Sequence, residues 1–206
     1  MISHEKKFIF AEITKTGSTS VCKALDMYVE PFWFRPNKKH WHLSKHKKEH
    51  GDEIFNSYFK FVFTRNPWDK MVSQFFYRKG HYIRKFGFTG NDKEIFAQFI
   101  NKVYSQFKKK GRVRFTAMDP NQHTYILDEN SNVMADFIGK YETLQADFDT
   151  ICDKIKVDRR LLPKRNKSRK RKTQNYTEFY DDDVKNKVGE MFTKDIDLLK
   201  YNFNND

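Results

Sequence analysis

The chain of 206 residues is 38% hydrophobic and 17% aromatic, and its 40 Lys and Arg outnumber its 27 Asp and Glu, which leaves a formal charge of +13. The length suits one domain spanning residues 1–206, and the aromatic side chains supply the apolar area of a packed core. No apolar run approaches the roughly 18 residues of a transmembrane helix, and no secretory leader is apparent, so a cytoplasmic protein without a membrane segment is expected. The positive charge indicates an anionic partner: a nucleic acid, a phospholipid, a polyanionic sugar or a nucleotide.

Two segments in the first third of the chain each predict a buried strand that leads into a helix. The apolar run at 8–13 predicts a strand, residues 14–20 supply Gly and hydroxyl side chains, and a helix is predicted over 18–29. The run 58–63 predicts a second strand, followed by a helix that accommodates Pro67 in its first turn. Each strand therefore delivers polar residues to the start of a helix.

The rest of the chain alternates helical and short strand patterns. These predict, in chain order, a core-facing helix at 91–109, strands at 123–127 and 133–138 around a turn, and helices at 142–155 and 181–201. The stretch 159–172 is rich in Lys and Arg and has no acidic residue, so it predicts an exposed loop or a ligand-facing flap. Cys22 and Cys152 lie among apolar neighbours and are expected to be buried thiols without a disulfide.

The segment Lys15–Ser20 follows a predicted strand and opens a predicted helix. Backbone N–H groups and the helix dipole at such a point bind phosphate, and Gly17 lets the backbone approach the anion. The loop of nucleotide kinases and GTPases requires a Lys directly after its last Gly, whereas Lys15 precedes Gly17. This order of Lys and Gly argues against phosphoryl transfer. A second alternative is that the Lys and the hydroxyl residues only cap the start of the helix.

A second constellation follows the next predicted strand. Arg65 stands at the strand end and Ser73 on the following helix. With both motifs present in this order, the sequence resembles the sulfotransferases that use 3′-phosphoadenosine 5′-phosphosulfate (PAPS), most closely the branch of carbohydrate sulfotransferases and their bacterial relatives. Weaker similarities to later family segments at 136–142, 162–168 and 195–201 extend the resemblance nearly end to end.

The resemblance implies how PAPS is bound. Its 5′-phosphosulfate loop corresponds to Lys15, Thr16, Gly17, Ser18, Thr19 and Ser20, its 3′-phosphate clamp to Arg65 and Ser73, and a further cofactor contact to Lys167, Ser168, Arg169 and Lys170. A planar guanidinium suits a terminal phosphate because it donates two charge-assisted hydrogen bonds, and Lys15 would offset charge growing on the leaving 5′-phosphate. The alternative for Arg65 is a surface ion pair, and the alternatives for the basic segment are a landing patch for an anionic acceptor and a solvated loop. The family usually has Pro where this chain has Thr14, which loses rigidity but no ligand.

A base must also remove the proton of the acceptor hydroxyl, and His is the side chain whose reference pKa lies nearest neutrality. His40 and His42 lie between the two cofactor motifs, where the resembled family carries its catalytic His, and their spacing is similar to that of the glycosaminoglycan 2-O-sulfotransferases. We favour His42 because His-Leu-Ser fits the family's His-x-Ser/Thr pattern, whereas an ungapped reading back from Phe59 favours His40. A zinc site from His40, His42 and His46 is the alternative, but no Cys or carboxylate cluster joins them, so no metal is expected.

The predicted fold is α/β with three layers, a central, mainly parallel sheet with helices on both faces, and a P-loop-like nucleotide site. The predicted function is transfer of a sulfuryl group from PAPS to a hydroxyl of an acceptor, with a carbohydrate as the expected class. One rival is a basic nucleic-acid-binding module, which leaves the two phosphate motifs unexplained, and no specific nucleic-acid partner is expected. The other rival is a sulfotransferase homologue that binds nucleotide without turnover.

Overall fold

The computed structural model describes residues 1–26, 40–113, 119–163 and 175–204. The chain divides into two compact units. The first unit comprises Met1–Thr64 and Gln122–Arg165, and the second comprises Arg65–Asn121 and Asn166–Asp206. The described helices are α1 (Ser18–Ala24), α2 (Leu43–Ser57), α3 (Pro67–Phe86), α4 (Asp92–Lys110), α5 (His123–Ile126), α6 (Leu144–Ile155), α7 (Asp182–Met191) and α8 (Thr193–Leu199). None of them is long and apolar enough to cross a membrane.

The first unit is built on a four-stranded sheet with the strand order β1-β2-β3-β4. Its strands are β1 (Ile2–Ser3), β2 (Phe8–Ala11), β3 (Phe59–Thr64) and β4 (Phe137–Lys140). β1 pairs antiparallel with β2, whereas the pairs β2–β3 and β3–β4 are parallel. The predicted mixed α/β class with a mainly parallel sheet is therefore confirmed. β2 and β3 have nearly continuous apolar sequences because the inner strands of a parallel sheet are buried on both faces.

Phenylalanine side chains dominate the core of the first unit. Phe10 and Phe61 stack with their ring centroids 4.7 Å apart, and the cluster extends to α1 and α6. Cys22 and Cys152 lie in this cluster as buried thiols, as predicted, and burial raises the pKa of Cys152. The sheet is thus fixed by large apolar side chains, each of which contributes roughly 1.5–3 kcal/mol of burial free energy.

The described part of the second unit is helical. Asn66 caps α3 by accepting a hydrogen bond from the Trp68 N–H at 3.1 Å, and Pro67 occupies the first helical position, as the sequence predicts. Asn91 and Glu94 form a capping box at the start of α4, which confirms the helix predicted there. These helices pack with α7 and the 3₁₀ turn Tyr176–Phe179 around a separate aromatic core.

The strand predicted at 123–127 is wrong. Residues His123–Ile126 form the single helical turn α5, and only an isolated antiparallel bridge joins Leu127 to Val133. The helical turn packs against α2 and buries Tyr125 and Ile126. Burial against a neighbouring helix therefore overrides the strand propensity of these aromatic and β-branched residues.

Candidate functional site

The predicted phosphate loop lies at the carboxyl end of β2, where the chain turns into α1. Gly17 directly precedes α1 with φ of 82°, and its carbonyl accepts hydrogen bonds from the N–H groups of Ser20 and Val21. The N–H groups that open a helix have no intrahelical acceptor, which is the condition for binding an anion there. Two of the predicted hydroxyl donors shape the loop instead. Thr16 Oγ1 donates to the Ile13 carbonyl at 2.9 Å, and Ser20 Oγ donates to the Pro163 carbonyl at 2.8 Å.

Gly17 is required by space as well as by backbone conformation. A Cβ atom at this position would lie 2.7 Å from Leu144 Cδ2 and 3.4 Å from Tyr141 Cδ2. Tyr141 follows β4 and Leu144 is the first residue of α6, so the start of α6 is packed directly on the loop. The φ of 82° adds a conformation that side-chain-bearing residues rarely adopt. No other residue type fits this position without moving the loop or Leu144.

The two candidate base residues, both in the first unit, are held by different means. His40 has φ of 64°, and its Nδ1 lies 2.9 Å from the backbone carbonyl oxygen of Glu12. Since a carbonyl only accepts hydrogen bonds, Nδ1 carries the proton, and Nε2 is the basic atom of a neutral His40. His42 precedes α2 in an extended conformation without a side-chain capping bond, and its ring centroid lies 4.2 Å from that of Tyr125.

In the second unit, the predicted 3′-phosphate residue Arg65 precedes the start of α3, and Ser73 lies within that helix. The Arg65 side chain is 9% exposed, and its Nε and Nη2 atoms donate to Asp69 Oδ2 at 2.8 and 2.6 Å. Ser73 follows Asp69 at the (i, i+4) spacing, which places both on one stripe of the helix. Ser73 thus shares a stripe of α3 with Asp69, and the ion pair with Asp69 orients the guanidinium of Arg65, which precedes the helix.

Lys70 lies on the same helix as a buried amine. Its ammonium donates to the carbonyl of Pro120. Burial lowers the pKa of Lys70 to about 8, while Asp195 and Asp119 favour the charged form and Arg65 opposes it. The amine is thus tied to the backbone next to Asp119 and is balanced by carboxylates in the second unit.

The lowered pKa of Lys70 predicts that stability increases with pH. The unfolded chain retains this proton up to the ordinary value of 10.5, whereas the folded chain releases it near 8, so raising the pH between these values favours folding. We expect a gain of about 2 kcal/mol in unfolding free energy between roughly pH 7.5 and 9.5. Urea unfolding of the wild type and of Lys70→Met at both pH values measures this gain. The Met variant lacks the titrating group, so equal pH dependence in both proteins would contradict the prediction.

Two earlier expectations concern other parts of the site. The predicted cofactor contacts Lys167, Ser168, Arg169 and Lys170 lie outside the described residues. Within the described ranges, no group of three or more His, Cys, Asp or Glu residues is arranged to hold a metal ion, so the zinc alternative gains no support there.

Comparison with known proteins assigns this sequence to a family. The sequence profile of the sulfotransferase family matches residues 1–202. The chain belongs to the sulfotransferase family. This sulfotransferase is similar to an uncharacterized protein of Archaeoglobus fulgidus, with 32% identity over 111 residues that cover 54% of this chain and 78% of that protein. No solved structure gives a significant match.

Membership supports the predicted sulfuryl-transfer chemistry at the level of the family, whose members generally use PAPS as the donor. The match covers sequence from both units, so the phosphate loop, the two histidines and Arg65 all fall within the family region. The sulfotransferase assignment therefore does not depend on either unit alone.

Several residues around these groups were not identified from the sequence. Asp69 was within reach of sequence reasoning, because a carboxylate four residues after Arg65 at a helix start predicts an ion pair. The Glu12 carbonyl gives no sequence signal because any residue carries one. Tyr125 was assigned to a strand, and the packing of Leu144 on Gly17 joins parts of the chain that are distant in sequence.

Proposed function

We propose that this sulfotransferase moves a sulfuryl group from PAPS to a hydroxyl of an acceptor, and that the acceptor is a carbohydrate. The observation that carries the proposal is the loop Lys15–Ser20, in which Gly17 turns the end of a parallel strand into a helix start within a sulfotransferase sequence. That arrangement suits an anionic group held by backbone N–H donors. The product would be 3′-phosphoadenosine 5′-phosphate (PAP) together with the sulfated acceptor.

The proposed binding roles follow the two motifs. The loop Lys15–Ser20 holds the 5′-phosphosulfate, and Arg65 with Ser73 binds the 3′-phosphate. The ion pair with Asp69 also fits the alternative of an ordinary ion pair for Arg65, but in the proposed role it fixes the plane of the guanidinium, and a fixed fork loses less entropy on binding phosphate. The basic segment Lys167–Lys170 is proposed to add charge around the same nucleotide. We further propose that the whole chain serves as one P-loop-like sulfotransferase domain, which the family match over 1–202 supports.

In the proposed reaction, the acceptor oxygen forms a bond to sulfur as the bond from sulfur to the bridging oxygen of the 5′-phosphate breaks. The proton of the acceptor hydroxyl passes to an imidazole, for which His42 is the first candidate and His40 the second. Lys15 offsets the negative charge that grows on the leaving phosphate. Sulfuryl transfer of this kind depends mainly on positioning and electrostatics, so the protein needs no covalent intermediate.

The carbohydrate acceptor is supported by the spacing of His40 and His42 and by the net charge of +13. A nucleic-acid module of the same charge would present aromatic side chains for base stacking. Among the described residues, the large aromatic side chains classed as exposed are those of Tyr77 and Tyr141, and most of the other aromatics are buried in the two cores. Most aromatic side chains in the described part of the chain therefore serve packing rather than stacking on bases.

If PAPS is the donor, its product PAP should also bind and should raise the melting temperature strongly. Adenosine monophosphate should raise the melting temperature much less, because only PAP carries a 3′-phosphate. Arg65→Ala should weaken PAP binding by about 1.5–3 kcal/mol, the range for a hydrogen bond to a charged group, and Ser73→Ala should weaken it less. Isothermal titration calorimetry measures the affinity for each nucleotide, and differential scanning calorimetry measures the melting temperature in the presence of each.

Arg84→Ala is the matched control for this prediction, since Arg84 is an exposed arginine in the last turn of α3. Arg65→Lys retains the charge but loses the planar fork, so an intermediate affinity is expected. Because Arg65→Ala also removes the partner of Asp69, its melting temperature without ligand is needed to separate folding from binding. Equal stabilisation by both nucleotides, or unchanged PAP affinity of a folded Arg65→Ala, would remove the assigned roles of Arg65 and Ser73.

A further inference from the structure

The His42 side chain lies against a buried aromatic ring of the first unit. The ring centroids of His42 and Tyr125 are 4.2 Å apart, with an angle of 43° between the ring planes. Tyr125 is only 1% exposed, whereas His42 is partly exposed. The tyrosine therefore forms an inner support on which the imidazole rests, while part of the histidine stays accessible.

Tyr125 is itself held in place by the short structure around it. Its N–H donates to the Gln122 carbonyl at 3.0 Å, and the Leu127 N–H donates to the His123 carbonyl at 2.9 Å, which closes the turn α5. The chain then returns to this turn, where the Met134 N–H donates to the Ile126 carbonyl at 2.8 Å.

The loop between these points is fixed by Asp128. Its carboxylate accepts hydrogen bonds from the N–H groups of Asn130 and Asn132 at 2.9 and 2.8 Å, and these bonds lower its pKa. These hydrogen bonds fix the backbone that carries the Tyr125 ring. The ring therefore has few alternative positions and presents a constant surface to His42.

We propose that Tyr125 is a positioning residue for His42: its ring fixes the orientation of the imidazole that accepts the proton of the acceptor hydroxyl. This inference rests on the proposed function, in which His42 is the first candidate for the base. The His42 side chain makes no capping bond to α2, and its ring contacts Tyr125, which restricts the rotation of the imidazole. A base works only within hydrogen-bond reach of the proton that it removes, so its orientation controls the rate.

The experiment compares Tyr125→Leu, which removes the ring, with Tyr125→Phe, which retains it. With PAPS and a panel of neutral and acidic saccharides as acceptors, Tyr125→Leu should lower kcat by about 10²-fold with little change in the KM for PAPS, as for a misplaced catalytic group. Tyr125→Phe should retain most of the wild-type kcat, because it keeps the ring. Phe61→Leu is the control for general loss of packing, since Phe61 is fully buried in the sheet core of the same unit.

A double-mutant cycle shows whether Tyr125 acts through His42. If it does, Tyr125→Leu should cause little further loss in a His42→Ala background, whereas an independent structural role would lower kcat by the same factor in both backgrounds. Equal losses in the two backgrounds would overturn the proposal, as would a loss in Tyr125→Leu no greater than that in Phe61→Leu.

A second measurement does not depend on turnover. In histidine-labelled protein, the ¹³C–¹H resonances of the His42 imidazole should shift and broaden in Tyr125→Leu, remain close to wild type in Tyr125→Phe, and be unaffected in Phe61→Leu. Unchanged His42 resonances in Tyr125→Leu would overturn the positioning role. A wild-type protein that transfers no sulfuryl group would instead contradict the proposed function, and the His42 spectra would still decide whether Tyr125 orients the ring.

Discussion

His42→Ala is expected to slow sulfuryl transfer by about 10²–10⁴-fold while leaving the affinity for PAP nearly unchanged, which is the usual effect of removing a general base. His42 lies at the start of α2, where its imidazole packs on Tyr125 and makes no capping bond to the helix. Its replacement by Ala therefore removes no helix cap. Single-turnover transfer at saturating PAPS measures the effect, and calorimetry with PAP measures nucleotide binding separately.

His40→Ala is the informative comparison because His40 is the second candidate for the base and its ring is held by a hydrogen bond. The hydrogen bond from its Nδ1 to the Glu12 carbonyl fixes the tautomer in which Nε2 accepts a proton. If His42 is the base, His40→Ala should have the smaller effect and act through orientation of the acceptor. The reverse order would make His40 the base, and near-normal turnover in both variants would contradict a histidine base in this segment. His81→Ala, an exposed histidine on α3, is the control.

The elements that could be predicted are those whose pattern is local. The apolar runs that became β2 and β3 mark inner strands of a parallel sheet without reference to the rest of the chain. Asn91 with Glu94, and Asn66 with Pro67, mark helix starts through groups only a few residues apart. The proposed phosphate loop belongs to the same class, since Gly17 at the junction of a strand and a helix is itself a local signal.

What could not be predicted depends on packing between distant segments. Leu144 and Tyr141 cover Gly17 after more than a hundred intervening residues, and no periodicity reports that contact. Tyr125 has strand propensity, yet α5 forms because the helical turn buries this residue against α2. The tautomer of His40 depends on a backbone carbonyl, which has no identity in the sequence. The sequence thus indicated the chemical type of each candidate site residue, but it did not indicate the neighbouring groups that hold that residue in place.

Lys15→Ala is expected to slow transfer by about 10²–10³-fold, which is the usual cost of removing one group that stabilises charge in a transition state. Unlike His42→Ala, it should also weaken PAP binding, because the same ammonium attracts the phosphate before and after the reaction. Lys15 has φ of 66° and lies between the end of β2 and Gly17, within the proposed phosphate loop. Lys and Ala are both strained at this φ, so the substitution Lys15→Ala removes the charge with little change in backbone energy. Single-turnover rates and PAP calorimetry on the same variant measure the two effects.

Lys7→Ala provides a control matched in charge and in backbone conformation. Lys7 has φ of 47°, is exposed, and immediately precedes β2, so it lies at the opposite end of the strand from Lys15. Removing its charge changes the net charge by the same amount, so any effect of overall electrostatic attraction should be equal in the two variants. Near-normal turnover in Lys7→Ala together with a large loss in Lys15→Ala would therefore place the effect at the loop. Equal and small losses in both variants would mean that the leaving phosphate is stabilised by groups other than Lys15, and the backbone N–H donors at the start of α1 would then carry that role.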